Sequence, residues 1–339
     1  MKAAILYGNG DVRYGEYPEP QIKNGHVKIR VRSAGICGSD IPRVFNGGAH
    51  SYPSVLGHEF AGEVTEVGEG VCRVKKGDTV AVAPLVPCME CGDCKTGDYS
   101  LCRDYSFVGS REQGGFSEYV VVPEMNAVRY DPSVPFDIAA FFEPSTVALH
   151  GLFLCGYRGG GSVSVLGAGT IGVLTLQWAR IFGARCVTAF DIDEDRLALA
   201  RELGADKTVN PAKEGAGGVK SDYVFETAGS PDAMRLAFEV AAGRASLCFI
   251  GTPHRDLAFT PKQWENMNRK EFRLTGSWMS YSAPFPGREW ELTAHYLKKG
   301  SLVINDRLIF RRYPLSKAGE AFGLYEDPSG VKGKVLLIC

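Results

Sequence analysis

Apolar residues in the first 130 positions come in short runs broken by glycine and proline. His26–Gly35 (HVKIRVRSAG), Glu59–Gly68 (EFAGEVTEVG), Thr79–Pro84 (TVAVAP) and Phe116–Val122 (FSEYVVV) are examples. This rhythm predicts an antiparallel β domain with barrel-like curvature. The pattern changes near Pro144. From Ser162 onward apolar strands alternate with helical stretches: SVSVLG, IGVLTLQWARIFG, CVTAFD, EDRLALARELG. Such alternation predicts βαβ units on a parallel sheet. YVFETAG and ASLCFIG continue it, the second as an apolar run suited to a strand buried on both faces. Asn210–Lys220 is glycine-rich and polar, and reads as a loop where a crossover helix would be expected. After about Trp278 the pattern is irregular until a final apolar strand, VLLIC.

The fold class is therefore α/β: a β-rich domain joined to a doubly wound parallel domain. A chain of 339 residues fits two domains. The boundaries are expected at 1–145, 146–282 and 283–339, the last segment returning to the first domain. Lys and Arg total 38 against 39 Asp and Glu. That balance speaks against a nucleic-acid binder and a polybasic membrane binder. The longest apolar approach to a membrane span, Val134–Cys155, is interrupted by Asp137, Glu143, two prolines and His150. The opening MKAAILYGNGD is too short an apolar run for a secretory signal. A cytoplasmic protein is the expectation.

In a cytoplasmic chain clustered cysteines point to metal before disulfides. Cys88, Cys91, Cys94 and Cys102 stand as C-x2-C-x2-C-x7-C, in a lobe at about 86–103. Four thiolates on one short loop can enclose Zn²⁺ tetrahedrally with no open position, which is a structural site. Gly92 and Gly97 are expected to allow the turns between them. A second set is dispersed. Cys37 follows a predicted strand, His58 precedes Glu59, and Glu143 interrupts an apolar segment where a lone charge is costly. One thiolate, one imidazole and one carboxylate leave a fourth position open, the composition of a catalytic zinc site.

Gly167-Ala168-Gly169-Thr170-Ile171-Gly172 is a G-x-G-x-x-G between a strand and a helix, and Asp191 follows Gly172 by 19 residues. That context is the dinucleotide fingerprint. The glycines admit a pyrophosphate at the helix N-terminus, and the acid accepts from ribose hydroxyls while repelling a 2′-phosphate. NAD is thus expected over NADP. Asp193 is the better placed helix cap, and Arg196 either faces solvent or covers the adenine.

GHEFAGEVTEVGEGV resembles the signature of the zinc-containing alcohol dehydrogenases of the medium-chain dehydrogenase/reductase family. The cysteine lobe, the glycine loop with its acid, and the terminal GKVLLI follow in that family's order along essentially the whole chain. The resemblance implies a GroES-like catalytic domain, a Rossmann coenzyme domain, two zinc ions per chain and a homodimer or homotetramer. It implies catalytic zinc on Cys37, His58 and Glu143, with Glu59 as an outer or alternating ligand. Glutamate at 143 is similar to the polyol dehydrogenase branch. ICGSDIPRVFNGGAHSYP, FVGSREQGGFSEYVV and GSWMSYSAPFPGREWE resemble sugar-alcohol-phosphate dehydrogenases within it. That implies NAD-dependent oxidation of a sugar-alcohol phosphate. Two departures stand out: the short Asn210–Lys220 stretch, and Met279 near where sorbitol dehydrogenases carry an arginine.

For the chemistry, Ser39 is placed to relay a proton, and Glu59 is the other candidate base. His50 either lines the cleft or ends a loop. Arg43 and Arg111, with Ser110 as a donor, are candidates for a phosphate. Trp278 and Phe45 are candidates for the wall of the site. The rival readings are a free polyol of the sorbitol or L-iditol type or a pentitol phosphate, a zinc-free NADP-dependent reductase, and a non-catalytic nucleotide-binding protein.

Overall fold

The computed structural model describes residues 1–253 and 255–339. The chain forms two compact units. One comprises Met1–Glu143, Tyr281–Gly300 and Ile304–Cys339, the other Pro144–Ser280 and Ser301–Val303.

The first unit is built on a seven-stranded sheet. Its order runs Ile309–Pro314, Lys334–Ile338, His26–Gly35, Glu59–Val67, Thr79–Val82, Ala127–Arg129, and Tyr119–Pro123 also pairs with His26–Gly35. All pairs are antiparallel except the first two strands, which run parallel. The pairing of His26–Gly35 with Glu59–Val67 shifts register twice, and such bulges bend and twist a sheet toward closure. Val27, Ile29, Val31, Phe60, Val64 and Leu337 are buried on these strands. A hairpin, Lys2–Gly8 with Asp11–Glu16, adds Ile5 and Leu6 to the same core.

The second unit carries six parallel strands in the order Lys207–Val209, Cys186–Phe190, Ser162–Leu166, Ser221–Glu226, Ala241–Phe249, Arg273–Gly276. Numbered along the chain this is 3-2-1-4-5-6, the doubly wound dinucleotide-binding order. The order reverses between Ser162–Leu166 and Ser221–Glu226, which opens a crevice at the carboxyl ends of those strands. Val163, Val165, Val224 and Phe225 have no exposed surface, as strands covered on both faces require.

Two expectations are corrected. Asn210–Lys220 is not all loop: Pro211–Glu214 makes one helical turn, because the Asn210 side chain accepts from Ala212 N at 3.1 Å and proline occupies the first helical position. The region after Trp278 is also more regular than its pattern suggests. It contains the helix Arg288–Lys298, the strand Ile309–Pro314 and the helix Ala318–Gly323. The helix Arg288–Lys298 buries only Glu289, Trp290, Thr293 and Leu297, too mixed a set to read as an apolar stripe. No described helix is long and apolar enough to cross a membrane, and Val134–Cys155 contains the buried helix Phe142–Leu154.

Candidate metal centres and nucleotide site

Cys88, Cys91, Cys94 and Cys102 bring their sulfurs within 4.8 Å of one another. The single turn Gly92–Thr96 begins with Cys91 as its cap and carries Cys94, and the turn Tyr99–Leu101 delivers Cys102. Cys88 Sγ lies 3.9 Å from Cys94 Sγ. That is far beyond a disulfide bond, and close to the edge of about 3.8 Å expected of a tetrahedron with ~2.3 Å metal–sulfur bonds. Cys91 N donates to Cys88 Sγ and Cys88 N to Cys102 Sγ, both at 3.3 Å, the contacts that favour thiolates. Backbone donors lower the Cys91 thiol to about 7, whereas burial pushes Cys94 up to about 12. A divalent cation is the partner that would let all four ionise together. Of the two glycines assigned to the turns, only Gly97 is needed. Its φ is 89°, and a Cβ there would meet Ala283 Cβ at 2.7 Å. Gly92 has open space around it, and the other left-handed residue is Met89 with φ 62°.

The second cluster forms where two neighbouring strands meet. Cys37 follows the strand His26–Gly35, His58 immediately precedes Glu59–Val67 and Glu59 begins it, and Gly35 pairs with Glu59 in the ladder. Ligand atoms of Cys37, His58 and Glu59 lie within 4.8 Å of one another. Asp40 organises them. Fully buried, it accepts from Cys37 N at 3.0 Å through Oδ2 and faces His58 Nδ1 at 3.5 Å through Oδ1. With Nδ1 turned to Asp40, Nε2 is the ring nitrogen left for a ligand. Burial disfavours a charged His58, yet Asp40 and Cys37 outweigh it and hold the imidazole well above its ordinary pKa. The spot thus attracts positive charge, as a cation site must.

Glu143 is not in this tight group. It is partly buried at the start of Phe142–Leu154, where burial raises its carboxyl to about 7. His58 and Lys334 pull against that rise, and Glu59 and Asp40 reinforce it, so all four groups lie within its electrostatic reach. Glu59 is itself engaged by Lys334, whose Nζ stands 2.8 Å from Oε1 and 2.5 Å from Oε2. Lys334 sits at the start of the last strand, and Glu59 and Cys37 hold its ammonium charged despite burial. Tyr325 is close enough to feel Lys334, Glu59 and Cys37, and burial pushes its hydroxyl upward.

Around this centre, Ser39 Oγ and the Ser39 carbonyl accept from Arg43 NH1 at 2.9 and 2.6 Å. Phe107 packs edge-on to His58 with centroids 5.7 Å apart, and Ser110, Arg111 and Glu112 N all donate to its carbonyl. This turn carries Ser110, which is buried, and Arg111, whose guanidinium lies 4.4 Å over the Tyr105 ring. Phe45 packs against the core of the first unit. His50 is exposed in the loop after Asp40–Phe45 and lies outside the metal cluster. Trp278 belongs to the second unit and is exposed there. Met279 takes a left-handed φ of 59°.

In the second unit, Thr170–Ile181 opens directly after Gly167–Gly169. A Cβ on Gly172 would stand 1.8 Å from the Gly167 carbonyl oxygen, so only glycine closes this turn. Asp191 ties the loop down: Oδ2 accepts from Ala168 N at 2.7 Å and Oδ1 from Asp193 N at 2.9 Å. Asp193 caps the next helix, accepting from Asp195 N and Arg196 N. Gly167, Asp191, Ile192, Arg196, Ala228 and Lys262 line a cavity of about 900 Å³. Arg196 NH1 lies 4.0 Å from Asp191 Oδ2. Facing the loop, Glu226 ends its strand fully buried, with Oε1 accepting from Ala228 N and Gly229 N at 2.9 and 2.8 Å.

The sequence reading missed Asp40, Lys334 and Tyr325 as members of the metal centre, and Ile192 as a cavity wall. Asp40 and Lys334 both stand inside segments that carry the resemblance, ICGSD and GKVLLI; the available signals were an acid three residues after Cys37 and a charge at the head of an apolar strand.

Residues 23–132 match the alcohol dehydrogenase GroES-like domain and residues 170–295 the zinc-binding dehydrogenase domain. The chain is 41% identical to galactitol 1-phosphate 5-dehydrogenase of Escherichia coli (strain K12), with all of both chains covered. It is 32% identical to sorbitol dehydrogenase of Bacillus subtilis (strain 168), covering 76% of each. The crystal structure of galactitol-1-phosphate dehydrogenase from Escherichia coli superposes with a TM-score of 0.95 at 40% identity, over all of both chains. Two domain matches in order, full-length similarity and two clustered ligand sets converge: the chain belongs to the zinc-dependent medium-chain dehydrogenase/reductase family, in its polyol dehydrogenase branch.

Proposed function

We propose that this protein oxidises galactitol 1-phosphate to tagatose 6-phosphate, passing hydride to NAD⁺. The observation that carries the reading is the cluster of Cys37, His58 and Glu59 around buried Asp40, in a chain 41% identical over its whole length to a galactitol 1-phosphate 5-dehydrogenase. Cys37, His58 and Glu143 would hold the catalytic zinc, with Glu59 held back by Lys334 as an alternative ligand. Cys88, Cys91, Cys94 and Cys102 would hold the structural one. A zinc ion held by the first set supplies Lewis acidity, which makes an alcohol proton easier to lose.

The chain's own groups do the rest. Asp40 orients His58 through Nδ1. Ser39 Oγ accepts from Arg43 and keeps a second lone pair to take the proton of the reacting hydroxyl while its own proton passes outward. Glu59 is the second candidate base. In the coenzyme unit, the turn at Gly167–Gly172 receives the pyrophosphate. Each Asp191 oxygen keeps a lone pair for a ribose hydroxyl, and its charge disfavours a 2′-phosphate. Ile192, 72% exposed beside it, offers the adenine an apolar wall, with Arg196 as the other candidate cover. We place the enzyme in the cytoplasm as a homodimer or homotetramer.

The test is NADH formation on galactitol 1-phosphate beside free galactitol and sorbitol, with zinc measured in the same sample. Turnover of the ester and two zinc per chain are expected. Turnover of the free polyols alone would keep the centre and move the substrate to the sorbitol type, which the similarity to sorbitol dehydrogenase favours as the second reading. One zinc and no turnover would overturn the catalytic centre.

A further inference from the structure

We infer that Arg43, and not Arg111, is the residue that selects a phosphorylated substrate by binding its phosphate group; this rests on the function proposed above. Arg43 lies one helical turn beyond Ser39 on Asp40–Phe45, the short helix that starts at the metal centre. Its side chain is only 21% exposed, so its charge is partly desolvated yet can be reached from solvent. The neighbouring anion answers it incompletely. Asp40 Oδ1 stands 3.8 Å from NH1, and Asp40 is already committed to Cys37 N and turned toward His58. NH1 is spent on Ser39. Among the described residues Nε and NH2 have no protein partner, which leaves one edge of the guanidinium fork for a ligand.

A partly buried cation with an unfilled donor edge is stabilised by an anion that accepts two parallel hydrogen bonds, and phosphate has that geometry. Position supports the same ligand. Arg43 is two contacts from His58, through Asp40, so a substrate whose hydroxyl reacts at the centre must extend along several carbons to place its phosphate there. Arg111 is otherwise engaged, lying over the Tyr105 ring and donating to the Tyr105 carbonyl. The bond to Ser39 couples anchor to relay: the group that holds the phosphate also orients the hydroxyl that handles the proton.

The test compares wild type, Arg43→Gln, Arg43→Lys and Arg111→Gln on galactitol 1-phosphate. Inorganic phosphate serves as competitor, and calorimetry reads binding of the ester to the holoenzyme with NADH. Gln keeps a donor for Ser39 while removing the charge and the fork. For Arg43→Gln we expect KM and the inhibition constant of phosphate to rise at least tenfold, with the larger loss in KM rather than kcat. Arg43→Lys should fall between, because it keeps the charge alone, and zinc content should be retained in both. Unchanged KM and phosphate inhibition in Arg43→Gln, with the wild type active on the ester, would overturn this inference and leave the proposed function standing. A loss confined to Arg111→Gln would also overturn it. A wild type that oxidises free polyols but not the ester would instead overturn the substrate reading itself.

Discussion

Lys334 and Glu59 are 8% and 2% exposed, and each is the other's main counter-charge. Removing one partner of a buried pair leaves an uncompensated charge, at a cost of roughly 3–5 kcal/mol. Lys334→Met should therefore lower the urea midpoint sharply, and Lys334→Met with Glu59→Gln should recover part of the loss. His58→Gln removes a proposed ligand while its amide keeps a donor for Asp40. It should cut activity by about three orders of magnitude, drop zinc from two to one per chain, and leave the far-UV spectrum intact. Glu226 gives a pH prediction. Its carboxyl is buried, and burial raises it to about 7, above its unfolded value of 4.5. The folded state then holds a proton that the unfolded state has released, so stability falls as pH rises from about 4.5 to 7 and is level above that. The change is about 3 kcal/mol over the window. Glu226→Gln keeps the acceptor for Ala228 N and Gly229 N, and should flatten a plot of Tm against pH in that range.

At the level of elements, the cysteine lobe has little to hold it besides the metal we propose for it. Gly92–Thr96 and Tyr99–Leu101 are each a single turn, below the length at which a helix holds itself. Chelation should open this lobe first, with new proteolytic cuts confined to about 86–103 while the parallel sheet stays protected. The strands and helices around the glycine loop were legible because apolar runs and helical periods alternate cleanly there. The cysteine spacing was legible because all four ligands lie in one short segment. The helix Arg288–Lys298 was not, since it buries only part of one mixed face. Nor was the hairpin from Lys2, although its Asn9-Gly10 turn is a hairpin signal. The pairing of Lys334 stayed hidden for another reason: it meets a residue 275 positions away, and one sequence carries no record of such pairings.

Across the whole molecule, the first unit is stitched from three chain segments and the second is nearly continuous. The final strand, Lys334–Ile338, lies inside the sheet of the first unit, between Ile309–Pro314 and His26–Gly35. Ending the chain before Lys334 should expose both neighbours as unpaired edges and yield aggregated protein without bound zinc, read by sedimentation and metal analysis. The same arrangement fixes an order of events during synthesis. The nucleotide-binding unit is fully available once residue 303 or so has left the ribosome, and short connections let it fold as it emerges. The proposed metal centre must wait, for the lysine that pairs with Glu59 lies 275 positions further along the chain. Closure of the proposed catalytic cluster is thus a late event, and a nascent chain stalled before Lys334 would hold a folded coenzyme unit and an unfinished metal centre.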